Sequence, residues 1–345
     1  MVGAGAPDGQ PGEHESPFMI SMNPARGWGR YDGGVPDVLQ SLSPPPFRQF
    51  MLAASHGHQL HVQQWGHPSA PPLLLLHGGP GSGLGPALYR SLDPARWHVI
   101  GLDQRGAGRS LPAGSTEHNT TAHLLTDLAL LRRTLGIERW WVLGGSWGAT
   151  LALAYALAEP AAVCGLLLRS AFLARPADMQ PFMPLVETFL AAAGDAGERQ
   201  AIARAWWQLE TRRATGTAAP PPEGEALATL VQRYAVQAHY LHAGCWLQHP
   251  PLADRLAPLR RLPVQLVHGT ADRICPPDGA RLLAERLPQA RLHWAEGAGH
   301  DPTHPAMLAA MAVALAEATT LEDAGRPAAA RRPEGGGPPS RRDPA

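Results

Sequence analysis

The segment Trp141-Val142-Leu143-Gly144-Gly145-Ser146-Trp147-Gly148-Ala149 constrains the fold more than any other part of the chain. An apolar run ends in G-x-S-x-G and passes at once into an Ala/Leu-rich stretch of helical spacing, Trp147 to Leu157. A strand that turns straight into a helix at a serine puts that serine on a strained backbone, and small neighbours relieve the crowding. The helix N-terminus beneath it presents backbone N–H groups and a dipole that favours developing negative charge. The bare pattern is common by chance, and an ordinary glycine-rich turn would share it. The strand–turn–helix context carries the reading.

Similar runs recur along the chain. Leu60 to Trp65 alternates like a hairpin strand, while Pro72 to Leu76, Trp97 to Leu102, Trp140 to Leu143, Val163 to Leu168 and Pro263 to Val267 read as buried strands, with a shorter one at Leu292 to Ala295. Thr121 to Leu135, Asp278 to Arg286 and Pro305 to Ala318 have helical spacing. Strand and helix in alternation predict an α/β fold, a mostly parallel sheet covered on both faces. From Leu173 to Pro250 the rhythm breaks: Met183 to Ala193, Ala201 to Thr211 and Ala226 to His242 are helical, with a Pro220-Pro221-Pro222 loop and no buried-type strand. That segment reads as an inserted helical cap. The expected organisation is a flexible extension over 1–46, core over 47–172, cap over 173–250, core over 251–321 and a disordered tail over 322–345.

Composition narrows the function. The 345 residues are 44% hydrophobic, and 29 basic groups balance 29 acidic ones, so the basic surplus of a nucleic-acid binder is missing. Every basic residue is Arg; without Lys, Schiff-base chemistry and a lysine phosphate loop are excluded. Cys164, Cys245 and Cys275 lie far apart and make neither a disulfide framework nor a cysteine zinc site. No apolar run approaches bilayer length and no leader pattern opens the chain, so a cytoplasmic enzyme without a membrane partner is expected. His56, His58, His61 and His67 are close in sequence, but no carboxylate or Cys completes a metal set, and they read as surface histidines. The sequon Asn119-Thr120-Thr121 has no consequence without secretion. Trp206-Trp207 serves equally as cap core or substrate platform.

A nucleophilic serine needs oxyanion donors, a general base and an orienting acid. His77-Gly78-Gly79-Pro80-Gly81 follows a buried strand, and the backbone N–H groups of Gly79 and Trp147 are the expected donors. Asp272 follows the strand ending at Val267, and His300 sits in a glycine-rich loop after Ala295. Singly, Asp272 reads as a helix cap and His300 as a surface loop residue. Together with Ser146 they have the chain order and strand-end placement of a catalytic triad. Cys275, before Pro276-Pro277, is left without a nucleophilic role.

Further motifs accompany these: Asp103-Gln-Arg-Gly106 with Gly108-Arg-Ser110, Asn119-Thr-Thr121, Leu135-Gly-Ile-Glu-Arg-Trp140, Leu151-Ala-Leu-Ala-Tyr155, Leu168-Arg169 with Phe172, Asp272 with Cys275-Pro276, and Gly299-His300. With His77–Gly81 and Gly144–Gly148, they resemble the proline iminopeptidase family of the α/β-hydrolase fold over roughly residues 47 to 320. The resemblance implies a serine exopeptidase that releases N-terminal proline from small peptides through an acyl-enzyme, with no metal or cofactor. It also implies that glutamates of the cap hold the substrate's amino group. One falls in a W-x-x-W-E pattern, matched here by Trp206-Trp207-Gln208-Leu209-Glu210, with Leu209 in place of the second Trp. Glu210 reads either as that ligand or as a solvated helix-face charge. The second glutamate precedes His-Tyr-Phe in the family; here Gln237 precedes Ala238-His239-Tyr240-Leu241 and brings no charge. By resemblance Phe172, Phe182 and Cys275 line a small apolar pocket for the proline ring. Two other readings stand beside this one: a related hydrolase whose altered cap takes another amide or an ester, and a non-catalytic binding scaffold, against which the complete Ser146, Asp272, His300 set weighs.

Overall fold

The computed structural model describes residues 19–21, 45–89 and 91–325. Among these residues nine strands form one sheet: β1 (Met19–Ser21), β2 (Arg48–Ala53), β3 (Gln59–Gly66), β4 (Pro72–Leu76), β5 (His98–Leu102), β6 (Trp140–Gly145), β7 (Val163–Arg169), β8 (Val264–Gly269) and β9 (Arg291–Ala295). Their order is β1-β2-β3-β5-β4-β6-β7-β8-β9. The first three pairings are antiparallel and the rest parallel, so the C-terminal ends of β4 to β9 all open on one edge.

The unbroken apolar runs of the central strands follow from burial on both faces. Leu74, Leu76, Trp140, Val142, Leu166 and Leu168 enter one hydrophobic cluster. Their alternating neighbours Leu73, Leu75, Trp141, Leu143 and Leu167 enter another. On the first face lie α1 (Thr121–Thr134) and α2 (Trp147–Ala158); α3 (Met183–Ala191), α4 (Ala196–Thr215) and α5 (Gly224–His242) form the cap; α6 (Asp278–Arg286) and α7 (Pro305–Gly325) complete the core. Helix Pro305–Ala324 is long and apolar enough to cross a membrane by length and composition, which the sequence reading did not expect. It lies against the sheet, with Met307, Met311, Ala314, Leu315 and Ala318 buried in the second cluster.

Two boundaries differ from expectation. The extension over 1–46 falls outside the described residues except for 19–21 and 45–46, and Met19–Ser21 pairs with β2 as an edge strand. The tail expected from 322 begins inside α7, where Glu322 accepts a 2.8 Å hydrogen bond from the indole of Trp141. Residues 326–345 lie outside the described region.

Polar residues of the strand-end loops are buried in pairs. Arg105 donates through Nε and Nη2 to both oxygens of Asp127 on α1, at 2.6 and 2.7 Å. Its other donors reach the His118 carbonyl and the Ser55 hydroxyl, which ties the β2–β3 turn to the start of α1. Asp103 accepts from Arg109 and faces His61 at 3.3 Å. Burial pushes its carboxyl up, but the close His61 imidazole and the Arg109 charge outweigh this and hold it at about 2. Removing one partner of a buried pair strands the other. Asp127→Ala is therefore expected to lower the unfolding free energy by about 3–5 kcal/mol, seen as a lower urea midpoint at unchanged slope; a change under about 1 kcal/mol would show that Arg105 finds another acceptor.

Candidate active site

Ser146 stands between β6 and α2 with φ 56° and ψ −123°, a conformation that side chains rarely adopt. The glycines around it are required by close approach. A Cβ on Gly144 would lie 2.1 Å from the Gly148 carbonyl, and one on Gly148 would lie 2.3 Å from the Leu76 carbonyl at the end of β4. The Ser146 N–H donates to the Arg169 carbonyl at 2.9 Å, which carries the β6–β7 ladder one residue past the strand. Its hydroxyl is turned toward Cys275, with Oγ 3.8 Å from Sγ. Burial pushes the Cys275 thiol well above its ordinary range, so it stays protonated.

Asp272 and His300 are brought together from the loops after β8 and β9. Asp272 Oδ2 is 2.8 Å from His300 Nδ1, and Oδ1 accepts the backbone N–H groups of Ile274 and Cys275 at 2.9 Å each. Burial raises the Asp272 carboxyl, but the adjacent His300 and these donors hold it at about 2, so it is ionised at neutral pH. With Nδ1 facing the carboxylate, Nε2 is the His300 nitrogen left for a substrate or nucleophile. His300 and Ser146 line the same cavity, and no hydrogen bond joins them among the described residues.

Gly79 also lines this cavity, at φ 112°. Neither its N–H nor that of Trp147, the first residue of α2, is engaged by an acceptor among the described residues. The loop that carries Gly79 is held from beneath. His77 is fully buried, its Nε2 accepts the Gln104 N–H at 2.9 Å, and Gln104 accepts from the Trp147 indole at 2.9 Å. Gln104 thus joins the two expected oxyanion donors through their own neighbours.

The cavity, about 460 Å³, runs from Ser146 up into the cap. Phe172, Phe182 and Cys275 form part of its apolar wall, and Glu210 and Gln237 line its cap side. Glu210 is saturated: Oε1 accepts from the Trp206 indole at 3.1 Å and the Gln237 amide at 2.7 Å, while Oε2 accepts from Arg233 at 2.8 Å and the Tyr234 hydroxyl at 3.1 Å. It is neither a solvated surface charge nor an unpaired ligand. Trp206 is fully buried, stacked on Tyr234 with ring centroids 4.6 Å apart, so it belongs to the cap core, whereas Trp207 lines the cavity.

Two cavity cations were not anticipated. Arg233 precedes Gln237 by four residues on α5, so helical spacing puts both on one face, and the fold turns that face to Glu210. Arg169, at the end of β7, is buried and donates to the His300 carbonyl at 3.1 Å, bracing the histidine loop. It was visible only as a letter in a motif. The histidine reading also needs correction. His58 and His61 are buried, the first against the Glu117 carbonyl and the second against Asp103, while His56 joins His118 and His123 at the surface.

Comparison with known proteins identifies the family. A family model described as alpha/beta hydrolase fold matches residues 71–304. The proline iminopeptidase of Xylella fastidiosa (strain Temecula1) is 33% identical over 304 residues, covering 78% of this chain and 96% of that protein. The probable proline iminopeptidase of Leptolyngbya boryana is 31% identical over 298 residues, covering 77% and 92%. The chain belongs to the proline iminopeptidase family of α/β hydrolases. A solved structure of proline iminopeptidase from Mycobacterium smegmatis shares the fold at a TM-score of 0.56 and 20% identity, covering 79% of this chain and 98% of that one.

Within that family fold, the cap of this chain rests on the histidine loop through backbone. A Cβ on Gly299 would lie 2.4 Å from the Ala214 carbonyl of α4. Gly299→Ala must push His300 away from the cap, and a displacement near 1 Å costs on the order of 100-fold in turnover. The expected outcome is that loss in kcat with unchanged far-UV circular dichroism; a near-wild-type rate would mean that α4 yields instead.

Proposed function

We propose that this chain is a serine aminopeptidase that releases N-terminal proline from small peptides. The observation that carries the reading is the 2.8 Å Asp272–His300 pair beside Ser146 on its strained turn. In this mechanism Ser146 Oγ, rotated about χ1, attacks the scissile carbonyl and gives its proton to His300 Nε2. Asp272 keeps the imidazole in the needed tautomer and stabilises the imidazolium. The tetrahedral oxyanion is received by the N–H groups of Gly79 and Trp147. His300 then protonates the leaving amine, and water, deprotonated by the same imidazole, hydrolyses the acyl-enzyme. No step calls for a metal or cofactor. Phe172, Phe182 and Cys275 supply an apolar wall for the pyrrolidine ring.

One observation favours a second reading, a related hydrolase with altered specificity. Among the described residues, the one cap carboxylate that lines the cavity is Glu210, and Arg233 already neutralises it; Gln237 adds no charge. An arriving ammonium must share Glu210 with that guanidinium. Glu210→Gln would leave Arg233 and Arg169 facing the cavity without this counter-charge. It is expected to cut kcat/KM for prolyl-p-nitroanilide at least about tenfold and to leave p-nitrophenyl butyrate nearly unaffected. Equal losses on both would make Glu210 purely structural.

The deciding assay compares prolyl-p-nitroanilide, its N-blocked form and p-nitrophenyl butyrate, with Ser146→Ala as control. A strong preference for the free prolyl amide, abolished by at least about 10⁴-fold in Ser146→Ala, is expected. Ester turnover without amidase activity would keep the serine chemistry and reject the proline reading. Turnover by Ser146→Ala near the wild-type rate would reject the triad itself.

A further inference from the structure

Three histidines that take no part in the proposed chemistry meet at the surface on the far side of the Arg105 knot. His56 comes from the β2–β3 turn, His118 from the loop before α1, and His123 from the first turn of α1. Each offers a ring nitrogen, and these three nitrogens all lie within 4.8 Å of one another. None of the three lines the catalytic cavity.

We propose that His56, His118 and His123 form a surface site for one divalent late transition-metal ion of the zinc or nickel class.

The arrangement supports ligation in three ways. First, the donors are all imidazole: no carboxylate or thiolate belongs to the set, which disfavours calcium and magnesium and suits zinc, nickel or copper. Second, the rings are pre-gathered. His56 and His118 both hold left-handed backbone, φ 58° and 47°, and their rings stack with centroids 3.8 Å apart and planes 9° apart, with His123 set edge-on to both. Tetrahedral bonds of about 2.05 Å place ligand nitrogens roughly 3.3 Å apart; since imidazole lone pairs lie in the ring plane, His56 and His118 must rotate out of their parallel stack to meet one ion, which their exposure allows. Third, His123 has an outer partner. Its Nδ1 is 2.8 Å from the Thr120 hydroxyl, and when Nδ1–H donates there Nε2 keeps its lone pair for the ion.

Arg105 stands close by, but its charge is met by the bidentate bond to Asp127. Two of the ligands are exposed, which leaves an entry path and coordination positions for water. An ion there would clamp the β2–β3 turn to the start of α1, the same two segments that Arg105 already joins through Ser55 and His118.

The test measures Zn²⁺ and Ni²⁺ binding to the full chain by competition with a chromophoric chelator, beside His118→Asn, His123→Ala and the remote His67→Ala. Asparagine tolerates the left-handed backbone at 118, so loss of the ligand is separated from misfolding; circular dichroism of the metal-free variants checks this. One ion per chain is expected, weakened at least about tenfold in each cluster variant and unchanged in His67→Ala. No binding, or equal binding by all four proteins, would overturn the site. The readout is metal affinity alone, so it stands or falls independently of the peptidase reading.

Discussion

The close approach of three backbone segments beneath Ser146 is the constraint on which the site depends. The end of β4, the last turn of β6 and the first turn of α2 meet with glycine at each contact, and the serine between them is driven into a positive φ. That one conformation does several things at once. It sets Ser146 in the cavity wall, starts α2 directly after it, and lets Leu76 pass close beneath into the His77–Gly81 loop. The loops after β8 and β9 bring Asp272 and His300 together beside Ser146. The hydrogen-bonded bridge from His77 through Gln104 to the Trp147 indole keeps the two donor segments in register. Residues far apart in sequence thereby behave as one rigid cradle.

Much of this was legible because both faces of the sheet are covered. Pro72–Leu76 was read to the residue, since a strand buried on both sides has no choice but a continuous apolar run. Strand β2 escaped notice: Arg48-Gln49-Phe50-Met51-Leu52-Ala53 begins polar and sits toward the antiparallel edge. Helix α4 starts five residues before the stretch read as helical, capped by Asp195, whose side chain accepts the Glu198 N–H at 2.9 Å, and it runs on to the left-handed Gly216. The positions of Asp272 and His300 followed from strand ends, whereas their 2.8 Å contact follows only from the fold. What could not be read was the environment of Glu210. Its four donors come from α4 and α5, and helix periodicity says nothing about how two helices dock.

That environment alters what the cap can select. A lone carboxylate in a dry cavity attracts any cation strongly. One already shared among an arginine, a tyrosine, a tryptophan and a glutamine is positioned firmly but attracts less. Gln237 offers hydrogen-bonding capacity in place of charge: its amide nitrogen is spent on Glu210, and its buried carbonyl oxygen has no hydrogen-bond partner among the described residues. In the proposed aminopeptidase, recognition of an amino terminus in this pocket leans on geometry and directed hydrogen bonds more than on net attraction.

The way the cap is fastened has a thermodynamic consequence. Its aromatic centre, Phe189, Trp206 and Tyr234, belongs to the same hydrophobic cluster as the core residues Leu124 and Leu128. Polar ties cross the boundary as well: Tyr240 and His239 to Asn119, Thr121 to the Cys245 carbonyl, and Arg175 to Asp278. Because the cap shares one hydrophobic cluster with the core, freeing its helices would expose core side chains as well, and a single melting transition is expected. Cap and core are expected to lose structure as one cooperative unit, so that thermal resistance gained in either part protects both.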